Sequence, residues 1–255
     1  MLDDNTGRTL KTTRTSVRVL ELVREHEGLT LSELDALVDK PKSSLHAHLK
    51  TLKKCRFLVE REGTYRVGLR PFVIGEDARQ RRPAFDAAER MVDRLAGATG
   101  EEANFTAVEH GRLVMIHAAL AQSAGGAVSL DFRKEFYMHN TAAGKAILSE
   151  LSRSRVERVL DEWGLPAETD ATISTREELF AALEETAERG YGLVLEEFAE
   201  GLVAVGTSIR GREGRIVGGL SVGGPTYRID SDRLHEELAP ELLSVAEAFE
   251  SELGR

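Results

Sequence analysis

The chain has 255 residues, 41% of them hydrophobic and 30% charged, which suits one or two globular domains. No apolar run approaches the roughly 18 residues a membrane-spanning helix needs. The first residues lack the basic start and apolar core of a signal peptide, and the single cysteine, Cys55, can form neither an internal disulfide nor a thiolate metal cluster, so a cytoplasmic protein with no membrane partner is expected.

The net charge of −9 conceals a split. Residues 1–82 hold 17 Lys and Arg against 12 Asp and Glu, net +5, while the remainder holds 17 against 31, net −14. A basic segment joined to an acidic one suggests that only the first meets a polyanion.

In chain order, residues 1–12 are polar and without periodicity and read as a tail. Val17, Leu20 and Val23, with Val19 alongside, predict a first helix from Thr15 to about Glu27, ended by Gly28. Thr30-Leu-Ser-Glu33 is a capping box that opens a second helix with a stripe of Leu31, Leu34, Leu37 and Val38. Asp39-Lys40-Pro41 breaks the chain before a third helix to Lys54. There Leu45, Leu49 and Leu52 fall at i, i+4 and i+7 on one face, and Lys42, Ser43, His46, Lys50 and Lys53 occupy the other. Two extended runs, 57–61 and 64–69, flank Glu62-Gly63 as a hairpin, with Tyr65, Val67 and Leu69 alternating.

Three short helices and a hairpin on a basic background make a winged helix-turn-helix, whose third helix enters the major groove of double-stranded DNA. Lys42, Ser43, Ser44, His46 and Lys50 are the candidate contacts, joined by Arg61 and Arg66 at the hairpin tip. The plainer alternative is a solvated basic face. Domain boundaries are expected at 1–70 for the DNA-binding part, 71–83 for a linker helix and 84–255 for a second domain.

That second domain opens with a helix through Phe85, Met91, Val92 and Leu95, closing at Gly97 to Gly100. Strands are expected at 103–109 and 112–119 around His110-Gly111, then near 127–131 after Gly125-Gly126. Helices follow at 142–151, from Ser152 to Trp163, and from the capping box Thr175-Arg-Glu-Glu178 to Arg189. Strands at 192–195, 203–209 and 216–222 precede a final helix, 231–253, carrying Leu238, Leu242, Val245 and Phe249. Interleaved strands and helices imply one α+β or α/β domain around a central sheet.

Chemistry beyond binding finds little support. No Gly-x-Ser-x-Gly elbow, Walker-type loop or zinc-protease pattern occurs, and Glu196 and Glu197, adjacent on a strand, would face opposite ways. His46 and His48 cannot share a metal at that spacing, and His110, His117 and His139 are scattered. No catalytic residue, metal or cofactor is expected. His48 reads as a partly buried neighbour of the second helix and Cys55 as a small buried filler.

With these elements in place the chain resembles the IclR-type transcriptional regulators, from about Thr15 to Leu253. The resemblance rests on residues 29–67, on His139-Asn-Thr-Ala-Ala-Gly-Lys-Ala-Ile-Leu148, on Gly190-Tyr-Gly with Glu196-Glu197, on Gly201-Leu-Val-Ala-Val205, and on Gly219-Leu-Ser-Val-Gly-Gly-Pro225. It implies an α+β protein in which a winged helix-turn-helix is joined by a linker helix to a GAF-like effector-binding domain. A homodimer or dimer of dimers would bind operator DNA and a small organic acid effector.

The family's acid-binding places fall here on Gly144, Val194, Ala204, Ser221 and Gly223. Val194 stands where aspartate is common, Ala204 where cysteine or another small residue occurs, and Gly223 where serine is frequent. A less polar pocket is therefore expected, taking a larger or more apolar acid, with Phe105, Met115 and Phe132 either lining it or serving as plain core. Arg56 stands at a helix-to-strand turn where the family usually has glycine. The competing reading is a metabolite-binding or enzymatic second domain with the winged helix as a protein-interaction module.

Overall fold

In the computed structural model, which describes residues 9–120 and 135–254, the chain divides between Arg81 and Arg82 into two units. The first contains α1 (Lys11–Glu25), β1 (Leu29–Thr30), α2 (Leu31–Leu37), α3 (Lys42–Lys54), β2 (Leu58–Arg61), β3 (Thr64–Val67) and α4 (Arg70–Gln80). The expected capping box forms: the Thr30 hydroxyl accepts from the Glu33 amide at 3.4 Å, and the Glu33 carboxylate accepts from the Thr30 amide at 2.7 Å. The bonds that the Glu33 carboxylate accepts from the Thr30 amide and from the Thr30 hydroxyl hold its carboxyl below the usual carboxylate range. Leu45, Leu49 and Leu52 of α3 are buried, as their spacing requires, against Val19, Leu22, Leu34 and Leu58.

Several expectations shift. The first helix begins at Lys11, inside the expected tail, and its buried stripe is Val19, Leu22 and Val23, with Val17 turned to solvent. Leu37 of α2 is likewise exposed. In amphipathic helices this short, a stripe read one position away satisfies the same periodicity, and only tertiary contacts choose between them. The hairpin turns through Glu62 (φ 51°) and Gly63 (φ 76°), both left-handed, a two-residue turn whose twist matches its strands. Of its alternating residues only Tyr65 is buried, and the strand stops at Val67. A third strand, β1, pairs antiparallel with β3 at Leu29↔Tyr65.

Cys55 is exposed rather than buried, because it caps α3 at the surface. Arg56 beside it has φ 66°. Its amide donates to the Lys53 carbonyl at 2.9 Å and that of Phe57 to the Leu52 carbonyl at 2.9 Å. This pair of bonds is a Schellman ending with arginine in the position that favours glycine.

The second unit starts with α5 (Pro83–Thr99), which runs through Gly97 and closes at left-handed Gly100. Its strands are β4 (Glu102–Glu109), β5 (Arg112–Ala119), β6 (Glu135–Phe136), β7 (Gly192–Leu195), β8 (Leu202–Arg210) and β9 (Ile216–Pro225). They form one sheet in the order β6-β5-β4-β9-β8-β7, every neighbouring pair antiparallel, so the unit is α+β. The strand expected near 127–131 lies outside the described residues.

The helices of this unit are α6 (Ala142–Ser149), α7 (Arg153–Trp163), α8 (Arg176–Arg189) and α9 (Ala239–Leu253). A π-helical turn, Arg233–Leu238, leads into α9 just ahead of Pro240. Proline has no amide and its ring crowds the carbonyl four residues back, and a widened turn relieves both.

The two faces of the sheet differ. Ala103, Phe105, Leu220, Val222 and Val205 pack under α5 and α9, where Phe105 lies edge-on to Phe85 and Phe249 with ring centroids 6.1 and 5.5 Å away. The opposite face receives α6, which is buried from Ala142 to Leu148. Small residues make that approach possible: a Cβ on Gly206 would stand 2.3 Å from the Ala143 amide nitrogen, and one on Gly219 would stand 2.7 Å from the Ala143 Cβ.

Candidate functional site

On the first unit, α3 buries its leucines and leaves Lys42, Ser43, His46 and Lys50 exposed, with Ser44 half-buried at the start of the helix. Lys42 stands 4.0 Å from Asp35 of α2, an exposed pair of little energetic weight. Lys53, on the same face, is bound to Glu60 of β2, and that bond raises its proton affinity. His48 is half-buried as expected, and the partner it hydrogen-bonds is on α1: its Nδ1 lies 2.8 Å from the Ser16 hydroxyl.

The two hairpin arginines have different situations. Arg61 is exposed at the last residue of β2. Arg66 is tied down, donating to the Glu27 carbonyl at 3.1 Å, beside the bend where Gly28 has φ 131°.

In the second unit a cavity of about 130 Å³ opens between the sheet and the first turn of α6. Its apolar wall includes Leu113, Met115, Phe136, Phe198 and Leu202, and its polar wall consists of Glu102, Asn104, Thr106, Thr141 and Ser221. Of the sequence-derived candidates, Val194, Ala204, Ser221, Gly223 and Met115 line it. The Ser221 hydroxyl donates to the Asn104 side-chain carbonyl at 2.8 Å, across β9 and β4.

Phe105 does not line the cavity. Side chains alternate along β4, so Asn104 and Thr106 face the cavity and Phe105 enters the core on the other side. Gly144 is also displaced from the expected role: it packs against the turn before α6, where a Cβ would stand 2.2 Å from the Met138 carbonyl oxygen, and Thr141, Ala142 and Ala143 present the helix start to the cavity instead. Phe132 lies outside the described residues.

Sequence reasoning missed Glu102, Asn104 and Thr106. A signal was there to find: the run Glu102-Ala-Asn-Phe-Thr-Ala107 alternates polar and apolar with period two, as a strand does when one face is core and the other lines a wet or ligand-filled space.

Thr141, Ala142 and Ala143 offer the dipole end of a helix whose first amides have no partner four residues earlier, an arrangement that favours an anionic group. The Thr141 hydroxyl does not cap that end; it donates backwards to the Tyr137 carbonyl at 3.0 Å. Glu102 is the acidic residue of the cavity wall, and burial pushes its carboxyl above the usual range.

The Glu196-Glu197 pair is structural. Glu196 (φ 63°) lies past the end of β7 and accepts from the Gly201 amide at 2.7 Å. Glu197 is buried in an ion pair with Lys145 of α6 at 2.5 Å. The histidines do not converge: His117 is 3.1 Å from Asp93, and His139 is buried 3.2 Å from the Pro166 carbonyl oxygen, with burial lowering its pKa. Among the described residues no group of three or more His, Cys, Asp or Glu is placed to hold a metal ion, and no helix is long and apolar enough to cross a membrane.

A small winged module displaying a basic helix, carried in one chain with an α+β domain built around an apolar cavity, defines a transcriptional regulator with an effector-binding domain. Residues 16–62 match the IclR helix-turn-helix domain, and residues 77–251 match the family described as bacterial transcriptional regulator IclR C-terminal. The chain belongs to the IclR family.

It is 30% identical over 237 residues to the acetate operon repressor of Salmonella typhimurium, covering 91% of this chain and 85% of that one. It is 28% identical over 239 residues to the regulator KdgR of Escherichia coli, covering 92% and 90%. The crystal structure of an IclR transcriptional regulator from Alicyclobacillus acidocaldarius has the same fold, with a TM-score of 0.81 at 23% identity, over 97% of this chain and all of that one. These relatives are regulators of transcription, which sets aside the reading of the second domain as an enzyme.

Proposed function

We propose that this chain binds a pseudo-palindromic operator as a homodimer or dimer of dimers in the cytoplasm, through α3 and the β2–β3 hairpin of each subunit. A small, largely apolar organic acid in the cavity beside α6 would shift the assembly between arrangements of different operator affinity. The observation that carries the DNA half is the division of α3 into a buried leucine stripe and an exposed face bearing Lys42, Ser43, His46 and Lys50. One such helix spans only a few base pairs, so a specific site needs two of them. The acid half is supported by the start of α6 at the cavity and by the apolar residues at Val194, Ala204 and Gly223.

Replacing His46 and Lys50 together by alanine tests the first half. Specific operator retention in a gel shift should disappear while the thermal midpoint is kept; undiminished retention would sink the assignment. Thermal-shift screening of organic acids, with Val194→Asp for comparison, tests the second. Tighter binding of short aliphatic acids than of aromatic acids bearing the same substituent by the native protein would contradict it.

A further inference from the structure

Strand pairing sets Val194, Ala204, Gly223 and Glu102 in one row across β7, β8, β9 and β4, through the pairs Val194↔Ala204, Ala204↔Gly223 and Glu102↔Gly223. All four line the cavity. The first three offer no polar side-chain atom, so the hydrogen-bonding chemistry of the row is gathered into one carboxyl group.

Among the described residues nothing hydrogen-bonds or ion-pairs with the Glu102 carboxyl group, and burial alone displaces its proton affinity. Its neighbour Glu101 is the contrast: both carboxylate oxygens are taken, by Arg228 at 2.6 Å and Arg233 at 2.7 Å. Among the described residues no lysine, arginine or histidine lines the cavity. A ligand carboxylate near Glu102 would therefore meet like charge, with no cationic side chain among the described lining residues to offset it.

We infer that the molecule this cavity accepts carries a hydrogen-bond-donating group, an amine above all and a hydroxyl next, held by the Glu102 carboxylate, together with a single acid group at the start of α6. Glu102 is then the specificity-determining residue that separates amino- and hydroxy-substituted monocarboxylic acids from dicarboxylic acids. The amine ranks first because a charge-assisted hydrogen bond is about twice as strong as a neutral one. This rests on the reading of the cavity as the effector site.

Calorimetric titration of the full chain against a benzoate series differing in one meta substituent, and against a short aliphatic monocarboxylate series differing in the same way, tests it. The substituents are none, hydroxyl, aminomethyl and carboxylate. The aminomethyl compound should bind about tenfold or more tightly than the unsubstituted acid, the hydroxyl compound should fall between them, and the dicarboxylate should bind least. In Glu102→Gln protein the aminomethyl advantage should shrink about tenfold, while the unsubstituted acid, which makes no bond to Glu102, should lose no affinity.

A dicarboxylate binding as tightly as the unsubstituted acid, or an aminomethyl advantage that survives Glu102→Gln, overturns the inference and leaves the effector-site reading standing. Failure of every acid in both series to bind overturns that reading as well. Should the variant not fold, the ranking on the native protein still decides.

Discussion

Gly206 lies so close beneath the first turn of α6 that a Cβ would stand 2.3 Å from the Ala143 amide nitrogen. Gly192, its partner across β7 and β8, lies equally close to the Ala142 carbonyl oxygen, at 2.0 Å. The sheet meets helix backbone here, with nothing flexible to move aside. Gly206→Ala should cost about 2 kcal/mol or more through forced displacement of α6, and weaken acid binding along with it. Gly97, in the middle of α5, has open space where a Cβ would go. Gly97→Ala should instead stabilise by about 0.5–1 kcal/mol. Urea unfolding of both variants checks the pair; equal effects would mean that the close approach is not what requires glycine.

The buried Lys145–Glu197 pair joins α6 to the loop after β7. Burial pulls both groups toward neutrality, lowering the lysine pKa and raising that of the glutamate. Removing one partner strands the other, so Lys145→Met alone should cost about 3–5 kcal/mol. The double change Lys145→Met with Glu197→Leu leaves no orphaned charge and should recover most of that loss. A double-mutant cycle by denaturant unfolding measures it, and additive losses would show that the two residues act independently.

Arg61 and Arg66 are separated by one turn of a hairpin yet predict different phenotypes. Arg61 is exposed, and its replacement by alanine should weaken DNA binding across sequences and reduce the slope of log affinity against log salt by about one. Arg66 is spent on the Glu27 carbonyl, so Arg66→Ala should lower the thermal midpoint of the winged module and change that slope less. The reverse ranking in salt titrations would assign the phosphate contact to Arg66.

Much of this was legible in the chain because local chemistry repeats it. Thr30 and Glu33 announce a helix start, and Leu45, Leu49 and Leu52 admit one stripe only. Glu62-Gly63 suits a two-residue turn with positive φ at both places. The misreadings share a cause: Val17 and Leu37 each belong to a pattern whose period was right and whose face was wrong, and the face is decided by a partner distant in sequence; of the two readings open for Phe105, the plain-core one holds. Glu102 escaped notice because a polar residue at a strand edge looks solvated until the sheet folds beneath a helix.

Arg56 was the legible exception, a residue at odds with its turn, and the structure gives it φ 66°. Arg56→Gly should stabilise the first unit by about 1 kcal/mol. A lowered thermal midpoint would mean that the arginine contributes something the left-handed turn conceals.

Glu102 makes stability depend on pH in a direction its burial dictates. Its pKa is raised in the folded chain because the carboxylate form is desolvated there. Deprotonation is thus harder in the folded state than in the unfolded one, and the folded state loses stability as pH climbs from the ordinary glutamate value, about 4.3, through the raised one. Above the raised value the loss is complete and constant. Glutamine cannot titrate, so Glu102→Gln should match the native protein near the bottom of that range and exceed it in stability above the raised value, where the native carboxylate is charged and has no partner among the described residues. Denaturant unfolding of both proteins at steps between about pH 4 and pH 8 follows the difference. A difference that stays flat with pH would show that Glu102 is solvated in the ligand-free protein. A bound amine should remove the gap by pairing the carboxylate, which ties this stability measurement to the ligand preference of the same residue.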